Sequence, residues 1–375
     1  MQKTIFQLAL LTLFLGFATP TRAANPEHIK KLLTTNQCPK CDLSNVDLRG
    51  GIFRGADLSN ANLAGAMLEN ADLRGAKLFN ANLQKTVLRG AILESADLEQ
   101  AKMQDAMLRG AKLRGASLKN ARMRGARLRE TDLRETNLTT AFLIEAVLTE
   151  ANLSMADLRG AVLTNAKISK ANLETANCES ANLTGADLTD AYLGDATLRN
   201  AVLTNANLRG ANLAAVSLMG AKLNGAILNR TDMQGANLSQ ASLTNAKIAN
   251  ADLSKTVLTM ANLKGANLTN TKLISAYLFT ANLENAILSN ADLTSANLEN
   301  ANLRNANFNN ANLSQATLRY ANLFDTNLLG ATLSDVDLRE TNIKQAKLVP
   351  DLFSHAARMD RRRLVDFRLN RHFLE

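Results

Sequence analysis

An apolar residue stands at every fifth position from Leu43 to Leu348, and the register never gains or loses a residue. Residues 296–315, ANLENANLRNANFNNANLSQ, show the phrase in four near-copies. Leu fills 53 of the 62 centres, and Phe53, Met103, Met123, Ile168, Cys178, Met233, Ile248, Phe308 and Ile343 fill the others. Two places before each centre, 49 of 62 residues are Ala, with Thr or Val as the usual exceptions. Neither regular element can use a period of five. On a helix each centre would fall about 140° round from the last, so no apolar face forms. On a straight strand an odd period throws successive centres onto opposite faces. A chain that bends after every five residues escapes both problems. Ala and Leu, two apart, then share the inner side of each short segment, and the chain becomes a polygonal coil with an apolar interior.

The bend has its own signature. The residue before each Ala position is Gly or Asn at about half of the corners, and all glycines but Gly16, Gly51 and Gly194 lie there. Both residue types tolerate positive φ, which the third residue of a type II turn requires. The scarcity of aromatics (4%, with no Trp) agrees with an interior of one small and one medium side chain.

This pattern, A(D/N)LXX, resembles the pentapeptide-repeat family over residues 41–348. The resemblance implies an all-β fold, a right-handed quadrilateral parallel β-helix with four pentapeptides per coil, so residues 296–315 make one turn. Exported members of cyanobacterial type carry a CxxC just before the first repeat, as Cys38-Pro-Lys-Cys41 does here. By register Cys38 takes a Leu position and Cys41 an Ala position, so both point inward. In an oxidising compartment they are expected to form a local disulfide, stabilising by at most about 2 kcal/mol. A thioredoxin-type site would need the first Cys at a helix N-terminus, and a zinc site two further ligands. Cys178, at a Leu position, reads as core.

The ends lie outside the repeat. Residues 1–23 read as a signal peptide: Lys3, an apolar run from Ile5 to about Ala18, then Thr21 and Ala23 before a cleavage point. The run is short for a bilayer crossing. A solenoid needs lids over its end coils. Over 24–40, Asn25-Pro26-Glu27 supplies an N-cap, a first-turn Pro and an acid, which predicts a short helix over 26–34. Beyond Pro350, residues 349–375 space Phe353, Ala357, Leu364, Phe367 and Leu374 at helical intervals and are expected to form the second cap. The alternative is a basic helix for a membrane surface, using Arg358, Arg361, Arg362, Arg363, Arg368 and Arg371, but Asp351, Asp360, Asp366 and Glu375 dilute its charge.

Little in the repeats can do chemistry. His28, His355 and His372 all lie in the flanks, so the coils hold no His base and no Cys–His pair. Asp232 and Asp252 stack at the twenty-residue offset, but Lys272 interrupts before Asp292, and solvated outward positions explain the pair. No phosphate loop or cofactor motif occurs. The reading is therefore a non-enzyme with no cofactor and no metal.

The charge is uneven. The chain carries +9, yet residues 41–348 hold 32 basic and 29 acidic side chains. Residues 102–134 alone hold ten basic and three acidic ones. There the position after the centre is basic six times running, at Arg109, Arg114, Lys119, Arg124, Arg129 and Arg134. With four sides per coil these form a positive collar, with Arg109 stacked on Arg129 and Arg114 on Arg134, an unfavourable like-charge arrangement. Only Asp105, Glu130 and Asp132 are expected nearby, which makes the collar a candidate surface for an acidic protein partner. Nucleic acid is not expected, because no outward aromatics accompany the charges to stack on bases. Some members of the family mimic DNA and shield a topoisomerase, but that needs a strongly acidic surface in the cytoplasm. An ice-binding surface would need Thr ladders that are absent. The expected function is an exported scaffold or protein-binding module in the periplasm or thylakoid lumen. No transmembrane segment is expected in the mature chain, and peripheral membrane contact is disfavoured.

Overall fold

The computed structural model describes residues 25–348. The chain divides into two compact units, Met1–Tyr192 and Leu193–Glu375. The signal peptide expected over 1–23 and the cap expected over 349–375 lie outside the described residues. In each unit the chain turns a corner every five residues and pairs with itself twenty residues on. In the first unit, parallel bridges run from Gln37–Asp57 to Asn172–Tyr192. In the second they run from Thr197–Ser217 to Asn327–Lys347. Four pentapeptides thus make one coil, and each contributes one bridged residue rather than a long strand.

One repeat shows where the backbone N–H groups go. Asn62 N donates to Cys41 O one coil back (2.8 Å), while Leu63 N reaches Asn82 O one coil on (2.7 Å). Gly65 N donates to Gln84 O (2.9 Å), and Ala66 N closes the corner onto Leu63 O (3.0 Å). The fifth N–H, just after the centre, is taken by the side chain two residues before it. Ala64 N donates to Asn62 Oδ1 (3.3 Å), and Ser59 N donates to Asp57 Oδ1 (3.0 Å). This is why Asp and Asn recur before the centre: they satisfy the one donor that the coil leaves over.

The interior follows the register. Every centre from Leu43 to Leu338 is buried, as are the Ala positions between them. Where Thr replaces Ala, its hydroxyl finds a carbonyl. Thr86 Oγ1 donates to Leu63 O (2.9 Å) and Thr231 Oγ1 to Leu228 O (2.7 Å), which offsets the cost of burying it. Cys178 is buried at its Leu position, and burial pushes its thiol up to about 12, so it stays protonated and inert.

Corners are more uniform than the residues at them. From Asn45 to Gln345 every fifth residue has positive φ, between 51° and 70°. Gly and Asn suit that conformation, but Glu130, Met155, Ala215 and Tyr320 adopt it too. A Cβ there costs about 1–2 kcal/mol. The stacked coil, not the local residue, sets the corner.

One helix, α1 (Pro26–Thr35), occurs among the described residues. Asn25 caps it by accepting from Glu27 N (3.0 Å), and Asn36 ends it in the left-handed conformation. It buries Ile29, Leu32 and Leu33, and His28 Nδ1 accepts from Asp42 N (3.0 Å), tying the helix to the first repeat. Cys38 and Cys41 are both buried and joined by a disulfide. Among the described residues no helix is long and apolar enough to cross a membrane.

Candidate functional site

The collar residues sit where the register puts them, but they are not left facing one another. Five of the six carry an ion pair. Arg109 pairs with Glu130 (3.2 Å), and Arg114 with Glu135 (2.6 Å). Arg124 pairs with Glu145 (3.3 Å), and Arg129 with both Glu130 and Glu150 (3.1 Å each). Arg134 pairs with Asp132 inside its own repeat (2.7 Å). Glu130 therefore sits between Arg109 and Arg129 and removes the expected repulsion. The expectation that only Asp105, Glu130 and Asp132 lie nearby is corrected: Glu135, Glu145 and Glu150 also take part. They lie twenty-one residues beyond their arginines, at the corner of the next coil and outside the twenty-residue rows.

Lys119 has no ion pair among the described residues, and neither do Lys102, Lys112, Arg122 and Arg127. Lys102 and Arg122 are bridge partners on one face, with Phe142 bridged to Arg122 on its far side. Phe142 is 43% exposed, so an outward aromatic does adjoin the charged stretch. These ion pairs face solvent, so each adds little and is weakened by salt.

A tighter charge motif lies within single repeats. In Asp-Leu-Arg the guanidinium folds back onto the carboxylate two residues before it. Arg74 Nε and Nη2 donate to Asp72 Oδ1 and Oδ2 at 2.9 and 2.7 Å. Asp47, Asp132, Asp157 and Asp337 are held the same way by Arg49, Arg134, Arg159 and Arg339. These guanidinium bonds hold the carboxyls below their ordinary value of 3.8.

The second unit carries a different row. Asn262, Asn282, Asn302, Asn322 and Asn342 stack at the twenty-residue offset, each amide donating to the one before. The Nδ2–Oδ1 distances from Asn282 onward are 3.3, 3.1, 3.4 and 3.2 Å. Corner amides repeat the device at Asn250, Asn270 and Asn290. Asn at every twentieth residue is the sequence signal of this row, hidden among the Asn that recur before many centres.

The stacked acids Asp232 and Asp252 are bridge partners, and Lys272 Nζ lies 3.6 Å from Asp252. No group of metal-ligating side chains forms among the described residues.

A family model described as pentapeptide repeats (8 copies) matches in segments lying between residues 41 and 349. No curated protein matches. Among solved structures, HetL is a pentapeptide repeat protein involved in heterocyst differentiation regulation from the cyanobacterium Nostoc sp. strain PCC 7120. It is 34% identical over 56% of this chain and 86% of its own, with a TM-score of 0.23. A pentapeptide repeat protein from the Arabidopsis thaliana thylakoid lumen is 31% identical, over 32% of this chain and 72% of its own, with a TM-score of 0.15. QnrB1, a plasmid-mediated fluoroquinolone resistance protein, is 16% identical over 62% of this chain and 95% of its own, with a TM-score of 0.25. With the repeat model matching most of residues 41–349, this chain belongs to the pentapeptide repeat family.

Proposed function

We propose that this protein is an exported, non-enzymatic scaffold, a right-handed four-sided β-helix with helical caps, whose outward rows bind a protein partner. One observation carries the reading. Within each pentapeptide the Ala and Leu positions are fixed by the interior, while the outward positions differ from coil to coil. Such a frame can present a chosen set of side chains on flat rows without altering its core. The charge of residues 102–134 suits an acidic protein, and Lys102, Lys112, Lys119, Arg122 and Arg127 are its cations without an ion pair among the described residues. The N-terminal pattern over 1–23 and the luminal location of the Arabidopsis relative support export to the periplasm or thylakoid lumen. DNA mimicry needs an acidic surface, and the concentration of cations in the first unit opposes it.

The experiment is purification of the mature protein from its native compartment together with its bound partner. The mature chain is expected to begin near Ala24. Lys102→Ser with Arg122→Ser should weaken capture of that partner, by a margin that narrows as salt rises. Arg114→Ser should change capture less, because Glu135 already matches that charge. Equal capture by all three proteins at equal salt tolerance overturns the reading of this stretch as a docking surface. A chain that keeps residues 1–23 overturns cleavage after export.

A further inference from the structure

The amide row of the second unit has a property that its pairing creates. Each Asn has two acceptor lone pairs and two N–H donors. The oxygens of Asn262, Asn282, Asn302 and Asn322 each accept twice. One bond comes from the backbone N of Lys264, Glu284, Arg304 or Phe324, at 3.2, 3.1, 3.3 and 3.2 Å. The other comes from the next amide in the row. The backbone donors fix which end of each amide is oxygen, so the assignment follows from chemistry. The acceptors of Asn262, Asn282, Asn302 and Asn322 are used up, and each of Asn282, Asn302, Asn322 and Asn342 keeps one N–H without a partner among the described residues. Up to Asn322 the row therefore offers only donors, one every ~4.8 Å along the stack, and Asn342 at its end adds a donor and an acceptor.

Its surroundings match. Arg304 lies over the Phe324 ring (5.3 Å to the centroid), and Arg319 lies over Tyr320 (5.2 Å), so these guanidiniums are held by rings. Neither Arg304 nor Lys344 has an ion pair among the described residues, and Tyr320 is 49% exposed at the adjoining corner. Recurring donors, two cations without ion pairs and the exposed Tyr320 ring call for a ligand with recurring acceptors, negative charge and apolar ring faces.

We propose that the face carrying Asn302, Asn322, Asn342, Arg304, Phe324 and Tyr320 binds a linear carboxylated polysaccharide. Hydroxyl and carboxylate oxygens along the polymer take the spare N–H groups, carboxylates lie against Arg304 and Lys344, and a sugar face covers Tyr320. The site is independent of the cations at 102–134 and of the protein partner assigned to them.

The test uses the mature full-length protein in affinity electrophoresis through gels containing polygalacturonate, hydroxyethyl cellulose or single-stranded DNA. Polygalacturonate should retard the protein, less at higher salt. Hydroxyethyl cellulose should not. Asn302→Asp with Asn322→Asp replaces donors by acceptors while keeping the oxygens that serve the backbone. It should lower retardation about tenfold. Arg304→Gln, which leaves the row intact, should lower it severalfold. Lys102→Ser with Arg122→Ser should leave it unchanged. Absent retardation, equal retardation by the neutral polymer, stronger retardation by DNA, or indifference to both the Asn and Arg304 changes overturns the proposal.

Discussion

Residues 102–134 of the first unit and residues 262–342 of the second have the same pattern of buried residues and solve the exterior differently. In the first, arginines recur after the centre and cannot stack on one another, so they reach diagonally to Glu130, Glu135, Glu145 and Glu150. In the second, asparagines recur and stack directly, because an amide is both donor and acceptor and complements its own copy. A ladder of identical polar side chains is favourable when the group is self-complementary. Four arginines recruit a partner from the next corner, Arg134 takes Asp132 of its own repeat, and the stretch keeps cations beyond its matched acids.

Substitutions in both units sharpen or break this comparison. The shared interior should dominate. Ala116→Phe in the first unit and Ala211→Phe in the second, both at fully buried positions, should each cost at least the ~1–3 kcal/mol of core overpacking. Ala214→Lys, on the outside of the same repeat as Ala211, should be close to neutral. Chemical denaturation checks this, and equal effects at 211 and 214 would break the register. Next comes the row. Asn302→Leu removes a bond to Asn282, one from Asn322 and the acceptor for Arg304 N, and should cost about 1–3 kcal/mol with little dependence on salt. Arg114→Ser should cost at most ~1 kcal/mol, shrinking as salt rises.

Acid should separate the units. Asp47, Asp72, Asp132 and Asp157 of the first have carboxyls held below 3.8 by their own arginines. In the second unit Asp337 is held that way. For a carboxyl with a lowered folded pKa, the stabilisation is present above the unfolded value and lost as pH falls through the folded one. Below pH 3.8 the first unit should therefore lose hydrogen-exchange protection before the second. Equal loss would show that these pairs carry no differential stability. The smallest effect concerns corners. A Cβ at Gly65 would meet the Asn45 side-chain oxygen, whereas at Gly75 it meets nothing. Both have positive φ, so Gly65→Ala should cost a few tenths of a kcal/mol more than Gly75→Ala.

The interior was the legible part, because a period of five fixes which side chains share the inside whatever the rest of the sequence does. The helix start at Asn25-Pro26 and the inward pair Cys38 and Cys41 were legible for similar local reasons. Corners were legible by half: Gly and Asn announce positive φ, but Met155, Ala215 and Tyr320 take it only because the coils above and below demand it. The outward bonding was the least legible. Arg114 and Glu135 meet because a long side chain leans across a corner, and no single-row pattern at twenty reveals that. The Asp and Asn before each centre were visible as a preference, but their purpose appears only when each backbone N–H is followed to its acceptor.

The central claim is that interior and exterior are separable, with the fold carried by one and binding by the other. The most direct test replaces Lys102, Lys112, Lys119, Arg122 and Arg127 by Ser together and measures both properties on one preparation. The account predicts an unchanged circular dichroism spectrum, a melting temperature within a few degrees of the parent, and loss of salt-sensitive capture of the acidic partner. A variant that unfolds, or one that captures the same partner at the same salt tolerance, would contradict it.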